Sequence, residues 1–508
     1  MKQYEVFELT YSAPAPEGSH VEVELTAVFT CVSAETKVTG FYAGHNTYKI
    51  RFLPLQPGEY HYEVSGIVSD RGDVTCAPAD PGRHGPVYAD GTHFKYADGS
   101  WFLPFGTTVY ALVHQDAALI EQTMQTLETA PFNKVRMCVF PKHYDYNHNE
   151  PPYYAFCKDE EGNWDPSFPS FDYWDHLEHY IRRLDQMGIQ VDLIVFHPYD
   201  RWGFSRLPVK QAHIYLDYLT RRLSAFPNIW WSLANEYELL AAYEYADWEG
   251  FAAFIHSHDP AKHLLSNHNI ARFWDFSNPA TSHICVQSSD IKGVAGLIHQ
   301  YQKPMMVDEC RYEGNIPLNW GNISGFEMVH RFWMVCAQGG YCTHGETILN
   351  EAGILWWSRG GKLVGDSPAR IAFLRQILES LPGPLTNGTP AITPEYISTT
   401  RAHLSSGENA NHPFMKMLAQ MTDSQLAGFL QDHHQLFGRV GNEAYLKYYE
   451  RNCTTLGNLE LDENCRYDVD VIDIWEMTRT TVLQDVTGKV DVPMPGKEGI
   501  AILATKRN

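Results

Sequence analysis

Two runs of the chain carry a carboxylate at the point where an apolar strand would end. IWWSLANEYE closes its apolar stretch with Asn235 and Glu236, and PMMVDECRYEG closes its own with Asp308 and Glu309. A carboxylate set directly after buried-type residues does not serve packing, because an unpaired charge removed from water is costly. Two such groups aimed at one cleft suit the cleavage of a glycosidic bond, in which one protonates the leaving oxygen and the other attacks the anomeric carbon. The two roles require unlike surroundings, one carboxyl raised toward neutrality and the other kept ionised. Asn235, beside the candidate acid, is a residue type that hydrogen-bonds a sugar hydroxyl.

Glu236 and Glu309 are 73 positions apart, so parallel strands must bring them to one face. Between residues 91 and 385 the sequence alternates short apolar runs with amphipathic stretches. WFLPFGTTVY, KVRMCVF, VDLIVF, IWWSLANE, HLLSNHN, ICVQSS, PMMVDE and GGYCTHGE read as eight strands. FDYWDHLEHYIRRLDQMG reads as a helix, with Ile181 and Leu184 at helical spacing and Gly188 at the stop. Eight strands with intervening helices predict an α/β fold, a (β/α)₈ barrel. A doubly wound sheet fits less well, since no GxGxxG follows the first strand. The interval between the two glutamates is expected to hold helix four, strand five, helix five, strand six and helix six.

Active sites of such barrels lie at the C-terminal strand ends, which nominates further substrate contacts. These are His197, Asp200 and Trp202 after the third strand, Asn267 and His268 after the fifth, and His344 and Glu346 after the eighth. Arg136, between Val135 and Met137 on the second strand, reads either as a surface charge or, given those apolar neighbours on a barrel strand, as a paired cation. Trp356 and Trp357 offer a stacking platform for a sugar or packing for the barrel mouth. Any single histidine here reads equally well as a hydrogen-bonded structural residue. His197, His268, His344, Asp200 and Glu309 could be drawn around a metal. No two of them have the i, i+4 spacing of a helical zinc site, and no GxSxG elbow occurs. No cofactor and no metal are expected.

The flanks differ in texture. Residues 1–88 hold short alternating runs (VEVELTAVFTCV, YKIRFLPL, EYHYEVSGIV) broken by turns, the pattern of an antiparallel β-sandwich. From 390 to 508 strands return in YLKYYERNCTTLGNLEL, RYDVDVIDIWEMTRTTVLQDV and GIAILATK, predicting a second small sandwich. The net charge of −22 disfavours a nucleic-acid partner, and no apolar run is long enough to span a membrane. Aromatic residues make up 13% of the chain, which suits stacking on sugar faces as well as core packing. The N-terminus lacks a signal-peptide core, and the 10 cysteines are scattered with no CxxC pair. Together these predict a cytoplasmic chain with reduced thiols; a homo-oligomer is compatible with that setting.

LANE on strand four and VDE on strand seven resemble the clan A glycoside hydrolases. HFKYADGSWFLPFGTTVYAL at the barrel entry and GGYCTHGE at strand eight resemble the apiosidase-like group within that clan. The resemblance covers nearly the whole chain, since a β-sandwich often precedes the barrel and a β-rich module often follows it. It implies a retaining hydrolase of carbohydrate, with Glu236 as acid/base, Glu309 as nucleophile, Asn235 as substrate binder and Arg136 steadying the nucleophile. One departure is that strand six offers Gln287 where the clan often has a Tyr or His on the nucleophile; Tyr312 or His268 is then the substitute. Exo action on short oligosaccharides or plant glycosides is expected. A non-catalytic carbohydrate-binding barrel and a metal-dependent barrel hydrolase remain the alternatives.

Overall fold

The computed structural model describes residues 1–32 and 34–507. Its centre is a barrel of eight parallel strands: β1 (Phe105–Thr108), β2 (Lys134–Cys138), β3 (Gln190–Phe196), β4 (Ile229–Ala234), β5 (Leu265–Ser266), β6 (Ile284–Gln287), β7 (Met305–Glu309) and β8 (Tyr341–His344). The ladder runs β5-β4-β3-β2-β1-β8-β7-β6. Between β5 and β6 the ring is completed by Ser282, whose N–H donates to Leu265 O at 2.8 Å and whose hydroxyl accepts from Leu265 N at 2.8 Å. Strands β2, β3 and β4 are buried along their whole length, as expected of a sheet covered on both sides.

Helices α1 (Ala117–Thr129), α2 (Phe171–Gln186), α3 (Val209–Leu223), α4 (Tyr245–His258), α5 (Val294–Tyr301), α6 (Gly325–Ala337), α7 (Trp356–Arg359) and α8 (Ser367–Glu379) surround the strands. Local sequence explains their limits. Asp116 caps α1 by accepting from Leu119 N at 3.0 Å, and Ser324 caps α6 through Glu327 N at 3.2 Å. In α2, Leu177, Ile181 and Leu184 face the core and Gly188, at φ 72°, ends the turn. The expected fifth helix is absent: residues 267–283 contain no helix, and Asp275, Asn278 and Pro279 turn the chain instead.

The floor of the barrel is closed by a three-stranded meander, Val87–Asp90, His93–Tyr96 and Trp101–Phe102. Its Val87, Phe94 and Phe102 pack on Trp230, Met306 and Tyr341 at the strand entries. The N-terminal sandwich sets Thr47–Phe52 between Phe7–Ser12 and Phe41–Tyr42, opposite a sheet of Leu25–Cys31, Ala34–Thr39, Gly58–Gly66 and Asp70–Cys76. Every second residue of Leu25–Cys31 is buried. Arg51 ties this sandwich to the barrel. Its guanidinium makes a two-pronged pair with Glu178 of α2 at 2.7 and 2.8 Å and also donates to Arg222 O at 2.8 Å. Burial alone would raise the Glu178 carboxyl, but Arg51 and Arg222 bring it down to about 2.

The C-terminal region departs from the sequence reading. Strands were expected from 390 onward, yet α9 (Pro394–Leu404), α10 (Pro413–Ala419) and α11 (Asp423–His433) come first, around a small core of Ile397, Leu404, Leu418 and Leu426. Proline at the first turn of α9 and α10 and the capping box of Thr422 on α11 start these helices. Five strands from Leu436 onward join the short strand Thr386–Asn387, which precedes the helices, in a six-stranded sheet faced by the pair Leu456–Glu460 and Lys489–Pro493. No helix among the described residues is long and apolar enough to cross a membrane.

Candidate active site

At the C-terminal rim of the barrel the two glutamates face each other. Glu236 lies two residues beyond β4 with φ 54°, a left-handed backbone rare for a side-chain-bearing residue. His268 fixes that turn: its Nδ1 accepts from Glu236 N at 3.4 Å and its carbonyl from Tyr237 N at 3.0 Å. Glu309 is the last residue of β7. The Gln287 amide, oriented with its nitrogen toward the carboxylates, donates to Glu236 Oε1 at 3.0 Å and Glu309 Oε2 at 3.2 Å. Two oxygens at 3.0 and 3.2 Å from one nitrogen are at most 6.2 Å apart.

Each carboxylate has its own phenol. Tyr110 donates to Glu309 Oε1, and Tyr199 to Glu236 Oε2. Arg136, fully buried, donates to Glu309 Oε1 at 3.5 Å and to Asn235 Oδ1 at 3.4 Å. With its oxygen so engaged, the Asn235 amide nitrogen has no acceptor among the described residues. Beneath, Lys134 pairs with Asp192 at 2.6 Å and Asp308 at 2.7 Å, while the Cys285 thiol and Thr343 hydroxyl also donate to Asp308. Burial would raise Asp308, but Lys134 and Arg136 hold it well below the usual carboxylate range. The Asp308 charge below Glu309 is therefore matched by the cations beside it, as a buried ion requires.

Glu236 differs. Burial pushes its carboxyl up to about 7, the Glu309 charge adds to the rise, and Tyr199, Lys142 and Gln287 pull the other way. A carboxyl poised there can give and take a proton at neutral pH.

The predicted contacts divide. Asn235, Arg136 and Gln287 touch the glutamates as described, and His268 Nε2 stands 3.9 Å from Glu309. Tyr312 is buried beside this group, packed on Trp320 and Trp357. His197 is buried with Nε2 on the Phe140 carbonyl at 3.0 Å, and Trp202 donates to Glu150 at 2.8 Å in an outer loop. His344 is fully buried, stacked on Phe132, with Nδ1 on Thr107 at 3.1 Å. Trp356 is 2% exposed and donates to the same threonine at 2.8 Å, so it packs the wall and offers no sugar platform. Glu346 is 1% exposed and accepts from Val364 N at 2.9 Å and Gly365 N at 2.8 Å. Glu313, His344 and Glu346 bring possible ligand atoms within 4.8 Å of one another, but Glu313 too is occupied, by Asp366 N at 2.8 Å and Ser367 N at 3.2 Å.

Sequence reasoning passed over three residues. Tyr110 stands two positions beyond β1, and Tyr199 two beyond the nominated His197. Lys142, in the loop after β2, is 3% exposed with Nζ 3.6 Å above the Tyr110 ring and 4.4 Å above that of Tyr199. Tyr144, Trp320 and Trp357 roof the same space, with ring centroids 5.0–6.3 Å apart.

Comparison with known proteins agrees with this geometry. The profile of the apiosidase-like catalytic domain matches residues 89–347, and two domains of unknown function, 5060 and 5605, match residues 1–66 and 433–505. No curated protein matches the sequence. Among solved structures, a candidate glycoside hydrolase from Bacteroides vulgatus is 32% identical with a TM-score of 0.84, covering 100% of this chain and 99% of its own. A family 5 glycoside hydrolase from the same organism shares the fold at 14% identity and TM-score 0.60, over 84% of this chain and 95% of its own. The chain belongs to the apiosidase-like family of glycoside hydrolases.

Proposed function

We propose that this enzyme cleaves glycosides by double displacement with retention of configuration. Glu309 attacks the anomeric carbon while Glu236 protonates the departing oxygen, and Glu236 then deprotonates the water that releases the glycosyl-enzyme. The observation that carries this reading is the single Gln287 amide reaching both carboxylates, which limits their nearest oxygens to 6.2 Å. One amide bridging both carboxylates favours the close pair of a retaining enzyme over the wider spacing, roughly 6.5–9.5 Å between carboxyl groups, that an inverting pair leaves for its water. The raised Glu236 and the cation-backed Glu309 support the two roles. Asn235 and Arg136 orient substrate and nucleophile.

The substrate is a short oligosaccharide or plant glycoside cut from its end. Exposures of 4% at Glu236 and 8% at Glu309, under an aromatic roof, favour a pocket over an open groove. Aryl glycosides in pyranose and furanose form test the activity. With the sugar identified, its 2-deoxy-2-fluoro derivative bearing an activated leaving group should label Glu309, seen as one added glycosyl mass on the peptide containing that residue. Turnover with inverted product and no label would reject the mechanism.

A further inference from the structure

Lys134, Arg136 and Lys142 are buried cations beside the two glutamates, and among the described residues the first two are matched to anions while Lys142 is not. Lys134 is paired with Asp192 and Asp308, and Arg136 with Asp192, Glu309 and Asn235. Lys142 has no hydrogen bond or ion pair to Nζ among the described residues. Its ammonium lies instead in a box of rings, 3.6 Å from the centroid of Tyr110, 4.4 Å from Tyr199, 4.7 Å from Trp357 and 5.7 Å from Tyr144. Burying a cation without a hydrogen-bond partner is costly, and ring faces offset part of that cost. The two nearest rings belong to the phenols that hold Glu309 and Glu236.

Resting on the double-displacement reading, we propose that Lys142 is a positioning residue: one ammonium over both phenol faces polarises their O–H groups toward the two carboxylates and sets the upper pH limit of turnover. A cation over a ring face draws electron density from the hydroxyl, making it a stronger donor, and its own field favours the ionised carboxylate. Burial brings Lys142 down to about 8, with Cys138, Glu309 and Glu236 acting in the opposite direction. The neighbouring groups on other elements do not share this duty. Burial pushes His197 down to about 4 and His268 well below its usual value, and pushes the Cys138 thiol up to about 12. Tyr110, Tyr144 and Tyr199 are raised by burial, and Arg136 stays charged. None of these changes charge near neutrality, so the alkaline limb reports Glu236 as modulated by Lys142.

The test compares Lys142→Met, Lys142→Gln and Lys142→Arg in the full chain. The kcat/KM profile against pH is recorded on an aryl glycoside, and Glu236 is titrated by carboxyl ¹³C NMR, assigned by the signal lost in Glu236→Gln. Met and Gln should each move the alkaline limb and the Glu236 titration upward by about half a unit or more, the effect of losing a nearby opposite charge; Arg should restore both toward wild type. A raised KM with unmoved limb and titration would overturn the proposal and make Lys142 a sugar ligand. A fall in kcat alone, with the titration unchanged, would overturn it too. If no glycoside is turned over by wild type, the double-displacement reading fails, and the NMR comparison still decides whether Lys142 governs Glu236.

Discussion

The molecule carries two buried pairs of glutamates near the same barrel rim, and they are held in opposite ways. Glu236 and Glu309 are served by side chains: two phenols, one shared amide and a guanidinium. Glu313 and Glu346 are served by the main chain, through four N–H groups of residues 364–367 and the Ser367 hydroxyl. Main-chain donors pin a loop and cannot be withdrawn without unfolding it. Side-chain donors leave each carboxylate one face for a ligand and let its protonation be tuned. Burial and charge are thus common to both pairs, and the kind of donor is what separates them.

The widest separation between the pairs is expected in rate. Glu309→Gln should lower kcat/KM by about 10⁴-fold or more with the thermal midpoint nearly unchanged, whereas Glu346→Gln should leave kcat/KM within about tenfold and lower the midpoint. Kinetics and thermal melts on the two variants, run side by side, would erase the distinction if the losses were exchanged. Next in size is Glu236→Ala, with about 10²–10⁴-fold lost on poor leaving groups, partial rescue by azide on activated ones, and no alkaline limb near pH 7 where wild type has one. A limb that persists in this variant would remove Glu236 from the acid role.

The smallest effect sharpens the structural pair. Burial, and Glu313 next to it, put Glu346 at about 7, whereas the unfolded carboxyl titrates at roughly 4.3. Between those values the folded state holds the proton and the unfolded state does not, so stability falls as pH rises from about 4.3 to 7 and is level above. Glu236 contributes with the same sign. Glu346→Gln should flatten part of that fall, measured as urea unfolding free energies at several pH values. An unaltered slope would show that Glu346 stays ionised in the folded chain.

The strands and both glutamates were legible because parallel barrel strands read as apolar runs and a terminal charge breaks the pattern. Tyr110 and Tyr199 were not, since a tyrosine after a strand looks like core, and only its hydroxyl partner shows otherwise. His344, Glu346 and Trp356 satisfied the strand-end rule yet point into the wall, because the rule gives height in the barrel and not direction. Helix five failed where Asp275, Asn278 and Pro279 offered turns over a span long enough for a helix. The helices of 394–433 were overlooked because their apolar residues are few and their surface is polar.

Arg51 belongs to the first 88 residues by sequence and to the catalytic unit by energetics. A chain shortened to start at the barrel would leave Glu178 with Arg222 alone and bare the apolar residues around Tyr218. The module at the front is therefore a keystone of the hydrolase, unlike a tethered sugar-binding appendage.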